Sequence, residues 1–455
     1  MNGYLRNAIY VRNLAIVCLF TLHLNVGYAQ QKEDSFSLKD CIQFMLKNYP
    51  GSTIYLNNVK IAKEKIRENN AAFLPSLSGN ASMDYNIKLQ TSVIPAGSFS
   101  PTETKLQMGN KFSAGAYLQA DQAIFDKSAL IDVKVARVDK EIADLNVLKE
   151  NETLIYNTAT AYYEVLTYGE KKKLLRESEN QYKQLLEILK LRYEQGVVKK
   201  NEYDRTRVDL NNIQSELAVN DNNYHLSLNK LKKTIGLDLK TALTIDESID
   251  YTTPQDISLL NGLDVRQLPD YLIDEKNLLQ KEIDIQKKRA AYLPTVSLYA
   301  KYGANAYGAE LSNTFNNLYD YSVVGLKVSV PIFSGFKKNS QLQQSRLNAE
   351  NQRLTVKLNS SDYQLNYENS GSQLFSSYKS LKKNKDNLDL AKEVLDAAQI
   401  EYREGTSTLS SYLDADYSYK EAQSNYITSL LDFLNAQIAL EKAKGTLASY
   451  VNHLK

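Results

Sequence analysis

Ala290-Ala-Tyr-Leu-Pro-Thr-Val-Ser297 repeats an earlier stretch, Ala71-Ala-Phe-Leu-Pro-Ser-Leu-Ser78. In each copy a helical pattern runs up to Leu74 or Leu293 and meets a proline. Proline has no backbone N–H and clashes with a continuing helix, and it pushes the residue before it towards extended geometry. Beyond it the hydrophobic period changes from about 3.6 to 2. Pro75 and Pro294 therefore mark two helix-to-strand junctions.

The strands that follow alternate cleanly. Leu77, Gly79, Ala81, Met83, Tyr85, Ile87 and Leu89 fall on one face of a segment over 75–90, with Ser76, Ser78, Asn80, Ser82 and Asp84 on the other. Phe112, Ala114, Ala116, Leu118 and Ala120 alternate with Ser113, Gly115, Tyr117, Gln119 and Asp121. The spacing predicts a long hairpin over about 75–123, with Pro95, Gly97 and Pro101 in its connecting loop. A second hairpin is predicted over about 295–332, where Val296, Leu298, Ala300 and Tyr302, then Val324, Leu326, Val328 and Val330, carry the apolar face.

Around the hairpins the chain has little punctuation: 18 Gly and 8 Pro in 455 residues. Few, very long elements follow. From about 128 to 194 there is no Pro and Gly169 stands alone, and Leu175, Tyr182 and Leu189 keep a heptad spacing. At ~1.5 Å per residue that helix is roughly 95–100 Å long. A return helix spans about 201–235, up to Gly236, and a shorter one, about 52–72, precedes the first strand. Ser37 can cap a short helix before it.

The same plan then recurs. Pro269 matches Pro50, Tyr402-Arg-Glu-Gly405 matches Tyr193-Glu-Gln-Gly196, and Gly445 matches Gly236. A period this long lies outside the solenoid range and indicates one internal duplication. The two shorter helices of each half, stacked end to end, nearly match the long one. Each half thus supplies two full-length columns. The expected organisation is a signal peptide over 1–29, a first repeat over 30–240, an equatorial connection over 241–268 and a second repeat over 269–455.

The signal-peptide expectation rests on Arg6 and Arg12, an apolar run from Leu14 to Val26 and small residues at Gly27 and Ala29. The apolar run is shorter than the roughly 20 residues of a spanning helix. Removing the segment leaves no net formal charge, which excludes a nucleic-acid-binding field, and leaves Cys41 as the one cysteine. The mean hydropathy of −0.43 excludes a bundle of membrane helices.

The strands point elsewhere. At ~12–16 residues they exceed the usual ~5–6, and no spare amphipathic helix covers their apolar faces. In an exported chain this matches barrel strands that are apolar towards lipid and polar towards the lumen. Tyr85, Tyr117, Tyr292, Tyr299, Tyr302, Tyr319 and Tyr321 could supply interfacial aromatics. Four strands cannot close a barrel, and open edges are not tolerated in lipid, so the chain is expected to oligomerise.

With the Phe73-Leu-Pro-Ser-Leu-Ser78 and Tyr292-Leu-Pro-Thr-Val-Ser297 junctions, Tyr402 to Gly405, and Leu413-Asp414-Ala415 in order in a duplicated helix–strand–strand–helix plan, the chain resembles the TolC-like outer-membrane efflux proteins. The resemblance covers essentially the whole mature chain. It implies a mainly α, internally duplicated protomer with four transmembrane strands. Three copies would form a 12-stranded barrel continued by a long α-helical barrel in the periplasm. It further implies the exit duct of a tripartite pump, with a periplasmic adaptor protein and an inner-membrane transporter of RND, ABC or similar class as partners, and outer-membrane lipid around the barrel. The alternative is a coiled-coil cell-envelope scaffold or adhesin.

No catalytic, cofactor or metal motif emerges. His225 and His453 lack metal-ligand spacing, and there is no phosphate loop or nucleophile elbow. The resemblance instead directs attention to the tip, where Gly196 and Gly405 end the long helices. There it assigns Asp414 and Tyr402 to a periplasmic gate, Glu202 to the equivalent place in the first half, and Ser411 to a position where a second gate carboxylate often lies. Asp416, two residues on, should face elsewhere. Val197, Val198, Thr406 and Ser407 are candidates for adaptor docking around the turns.

Overall fold

The computed structural model describes residues 35–97, 101–246 and 262–453. The signal-peptide expectation and the middle of the equatorial connection lie outside these residues. A short helix α1 (Leu38–Asn48) leads into α2 (Pro50–Ala71). Strands β1 (Ser76–Tyr85), β2 (Gln90–Ile94), β3 (Thr104–Met108) and β4 (Phe112–Phe125) follow. Helix α3 (Lys127–Glu194) and its return α4 (Lys200–Ile235) complete the first half. The second half holds α5 (Pro269–Ala290), β5 (Thr295–Gly308), the one-turn α6 (Leu311–Thr314), β6 (Leu318–Ser329), α7 (Lys337–Glu404), α8 (Leu409–Lys444) and α9 (Leu447–His453).

The duplication is metrically strict. The helix before the strands has 22 residues in both halves, the long helix 68 and the return helix 36. Helix α3 packs against α2 and α4 on one side and α5 and α8 on the other; α7 packs on α5 and α8. Four parallel columns result: α2 stacked with α4, then α3, then α5 stacked with α8, then α7. The four long strands form one antiparallel sheet in the order β1-β4-β5-β6. Each strand continues one column, so strand order and column order coincide.

Both junctions are built alike. Ala72, Phe73 and Leu74 donate their N–H groups to carbonyls three residues back, and Tyr292 and Leu293 do the same. The helices therefore end at Ala71 and Ala290, three residues before the extent the pattern suggested. The residue before each proline disfavours helical geometry, so the last turn tightens to i→i+3 bonds before the strand begins.

The ladder aligns the apolar sets across the sheet. Leu77 pairs with Ala120, Gly79 with Leu118, Met83 with Ala114 and Tyr85 with Phe112. Leu118 continues to Tyr302 and Ala120 to Ala300, and Leu298 pairs with Leu326 and Val296 with Val328. One sheet face is thus mostly apolar, with Gln122, Asp320 and Ser322 as polar members. The other carries Ser78, Asn80, Gln119 and Asp121, with Lys301 over the Tyr117 ring. Two boundaries differ from the sequence reading. The first hairpin does not run unbroken to 90 and then loop; β2 and β3 form a separate two-stranded ribbon beyond it. The last strand ends at Ser329 rather than near 332.

Long-range packing of the columns follows heptads. Tyr367, Leu374, Leu381, Leu388, Leu395 and Tyr402 recur every seven residues on α7 and are all buried. Tyr412, Tyr419, Tyr426, Phe433 and Leu440 do so on α8. Apolar residues at this period form the seam of packed helices. At the equator, α1 has the capping box that Ser37 suggested: Asp40 N–H donates to Ser37 Oγ at 3.1 Å and Ser37 N–H returns to Asp40 Oδ2 at 3.0 Å. Tyr162 on α3 donates to the Asp246 carbonyl at 2.7 Å, next to the Phe36–Ile245 bridge. Cys41 is fully buried there, and burial, with the Asp40 charge, pushes its thiol up to about 12.

Gly303 marks a close backbone approach within the sheet. A Cβ there would lie 2.5 Å from the Ala116 carbonyl oxygen, whereas one at Gly79 would meet only Leu118 Cδ2 at 3.5 Å. Gly303→Ala is expected to cut the yield of folded protein severalfold, and Gly79→Ala to leave it near wild type. Refolding into detergent followed by circular dichroism measures both.

Candidate functional site

The end remote from the sheet holds two helical turns, one per half. Each closes on a glycine in the left-handed region: Gly196 at φ 76° and Gly405 at φ 76°. Positive φ costs a non-glycine residue roughly 1–2 kcal/mol, which accounts for the residue type. In the first turn Val197 N–H donates to the Arg192 carbonyl at 2.8 Å. In the second, Thr406 N–H donates to the Glu401 carbonyl at 2.9 Å. These bonds satisfy the last carbonyls of α3 and α7.

The two starts that follow differ. Lys199 precedes α4 with no side-chain cap. Thr408 caps α8, accepting from Ser411 N–H at 3.2 Å, and the two hydroxyls lie 3.0 Å apart. Ser411 is therefore engaged in the helix cap. Asp414 is exposed, and its backbone carbonyl accepts from Ser418 Oγ at 3.0 Å. Its carboxylate has no hydrogen bond or ion pair among the described residues. Glu202 is half-buried.

Tyr402 is buried, its ring 6.3 Å from that of Tyr412. Burial pushes its phenol up, Glu202 adds to this and Arg192 opposes it. Arg192 was not among the residues the sequence singled out. Its guanidinium lies over the Tyr402 ring at 5.4 Å and donates to the Tyr402 carbonyl at 3.2 Å and the Arg403 carbonyl at 2.5 Å. A cation on the C-terminal carbonyls of α7 is favoured by the helix dipole as well as by the bonds. It ties the end of α3 to the end of α7. Nothing local in the sequence marks it, because both its acceptors are backbone.

Of the four proposed docking residues, Val197 and Thr406 are exposed, while Val198 and Ser407 are half-buried. Val198 leans on the hydrophobic core. Pro75 and Pro294 sit at the opposite end, beside the sheet.

Asp416 does face away from Asp414, and its surroundings were not foreseen. It is 2% exposed, on the α8 side that meets α3. Tyr182 Oη donates to Asp416 Oδ2 at 2.5 Å, and Lys420 Nζ lies 2.8 Å from the same oxygen. Lys420 also sits over the Tyr182 ring at 4.5 Å. Burial first, then the Asp416 charge, drives the Tyr182 phenol far up, so it is a donor at any ordinary pH. Asp209 on α4 faces the group; burial raises its carboxyl and Lys420 opposes that.

Among the described residues no group of three or more His, Cys, Asp or Glu could hold a metal ion. The tip is an assembly of turns, carboxylates and cross-helix hydrogen bonds.

The family model for outer membrane efflux protein matches residues 57–237 and 275–446, one block in each half. The outer membrane protein TolC of Escherichia coli (strain K12) is 26% identical over 354 residues, covering 74% of this chain and 70% of the relative. TolC of Salmonella enteritidis is 24% identical over 399 residues, covering 85% of this chain and 77% of the relative. Among solved structures, CusC superposes with a TM-score of 0.74 at 18% identity, over 93% of this chain and 95% of that one. VceC from Vibrio cholerae gives a TM-score of 0.70 at 18% identity, over 90% and 96%. At such identities the superpositions speak to the fold, and they extend over nearly its full length. Two matched blocks, one on each duplicated half, together span most of the chain: it belongs to the outer membrane efflux protein family.

Proposed function

We infer that this chain is an outer-membrane export channel that works as a homotrimer, its sheet forming a third of a 12-stranded transmembrane barrel and its columns a third of a periplasmic α-barrel. The sheet carries this reading. Leu77 is 73% exposed and Val324 76%. Leu118, Leu298, Tyr302, Leu326 and Val328 are exposed with them. Each such side chain left in water forgoes roughly 1.5–3 kcal/mol of burial. A mostly apolar face of this size suits lipid, with the polar face turned to a lumen.

The edges argue for closure. β1 and β6 each leave one row of backbone groups unpaired. In hydrocarbon each such group costs several kcal/mol, so β6 of one copy must meet β1 of the next. The outer columns agree. Leu347, Leu354, Leu358 and Leu365 on α7, and Ile54 and Ile61 on α2, are exposed at heptad-compatible spacings with no partner column in the protomer. Three copies bring both edges together at the same time.

The tip is the gate end of the duct. In the trimer Asp414 would form a ring of three carboxylates, which favours cations. Tyr402, Glu202 and the Ser411 cap frame it. Val197 and Thr406 present the surface on which a periplasmic adaptor docks, with Val198 and Ser407 behind, and an inner-membrane transporter delivers the cargo through that adaptor. The mature chain begins near Gln30, and the matched halves act as two repeats joined by the equatorial segment. No residue is given a catalytic, cofactor-binding or metal role.

Analytical ultracentrifugation in detergent tests the assembly: a trimer is expected, and a monomer that is soluble without detergent would return the scaffold reading. Asp414→Ala is expected to weaken cation block and lower cation selectivity in planar bilayers; unchanged values would remove Asp414 from the gate. Arg192→Ala removes two bonds of the charge-assisted kind, worth about 1.5–3 kcal/mol each when buried and less here because the group is partly exposed. It is expected to raise hydrogen exchange over residues 403–408 by about tenfold or more, which mass spectrometry reads directly.

A further inference from the structure

We propose that Tyr182, Asp416 and Lys420 form a register lock that fixes α8 on α3 and so positions the gate end of α8 in the resting duct. The inference rests on the export-channel reading and names residues outside the gate assigned above.

Leu409, Asp416, Gln423 and Leu430 repeat every seven residues on α8, and all four are buried. They form one line of the α8 seam, and two of its members are polar. A polar residue at such a position costs stability and specifies register, because only one alignment supplies its partners. Here the alignment is defined by Tyr182. Its hydroxyl reaches Asp416 Oδ2 at 2.5 Å and accepts from Lys420 Nζ at 3.2 Å. Moving α8 along α3 by one turn, about 5.4 Å, would break both Tyr182 contacts and leave the buried Asp416 carboxylate with Lys420 of its own helix as its partner.

The lock also joins the two halves of the chain, since Tyr182 lies on α3 and Asp416 and Lys420 on α8. Asp414 precedes Asp416 by two residues and emerges on the exposed side. Whatever fixes Asp416 therefore fixes the direction in which Asp414 points. Tyr182, Asp416 and Lys420 are positioning residues: none needs to touch the cargo.

Three variants test this in purified full-length protein in planar bilayers. Tyr182→Phe keeps the packed ring and removes the hydroxyl. The combined Tyr182→Phe, Asp416→Leu, Lys420→Met variant replaces the whole cluster with apolar side chains. Tyr162→Phe removes a comparable hydrogen bond at the equator, to the Asp246 carbonyl. The first two are expected to raise resting conductance at least threefold and to increase hydrogen exchange over 409–416. The combined variant is expected to do so while melting at or above the wild-type temperature. Tyr162→Phe is expected to lower the melting temperature without a leak. Resting current and exchange that stay at wild-type levels in both cluster variants would overturn the lock, as would an equal leak in Tyr162→Phe. The two readings separate cleanly. If Asp414→Ala leaves selectivity and block unchanged while Tyr182→Phe still leaks, the gate assignment fails and the lock stands. The reverse result sinks the lock and keeps the gate.

Discussion

The fold depends on a mismatch of spacings. Neighbouring strands lie about 4.8 Å apart, and packed helices about 8–10 Å apart. Because the strand order β1-β4-β5-β6 follows the column order, the same four chain segments must run at both spacings. The change has to occur at the junctions. Ala72 to Pro75 and Ala291 to Pro294 are where it happens: two tightened turns and a proline, after which neither helix nor strand constrains the direction of the next element. Continuing the helix there would force strands apart or crush columns together. The near-identity of the two junction sequences thus reflects one geometrical requirement met twice.

Away from the junctions, the columns are held by side chains at a seven-residue period. This gives strength with little directional information, because an apolar seam tolerates a slip of one seven-residue repeat, about two turns. Leu374, Leu381 and Leu388 would each find an equivalent neighbour after such a slip. Asp416, bonded across to Tyr182, removes that freedom on α8. A buried charge pair of this kind adds little net stability compared with apolar side chains of the same volume. Its effect lies in rejecting the wrong alignment. In a structure whose columns are about 100 Å long, a small uncertainty in register would be carried to the tip in full.

Much of this was legible in the sequence. Period-2 alternation fixed both faces of the sheet, because one face is mostly apolar and a one-residue slip would invert it. Proline, glycine and heptad positions located the junctions, turns and seams. The ribbon of β2 and β3 was not legible: Pro95, Gly97 and Pro101 read as loop, and Gln90–Ile94 is too short and too polar to declare a strand. At the tip, the local signals worked and the distant ones did not. Gly196, Gly405 and Thr408 announce themselves by residue type. Arg192 bonds only to carbonyls, and Tyr182 meets Asp416 from 234 positions away. Resemblance drew attention to Asp414, which is exposed, rather than to Asp416, which is buried two residues later.

The duplication makes the remaining asymmetry informative. Helix lengths agree residue for residue between the halves, so the backbone was preserved through divergence. The polar cluster was not. At the 209-residue offset that relates Gly196 to Gly405, the counterparts of Tyr182 and Asp416 are Ala391 and Arg207. Alanine cannot supply the hydroxyl, and Arg207 is exposed. Seams of the α3–α8 type therefore carry a polar lock. Seams of the α7–α4 type, which would form between copies, carry a small apolar residue at the same level. In a closed ring the two kinds of seam alternate around the wall. Under the proposed ring closure, the Tyr182–Asp416 contact that resists sliding lies within each copy.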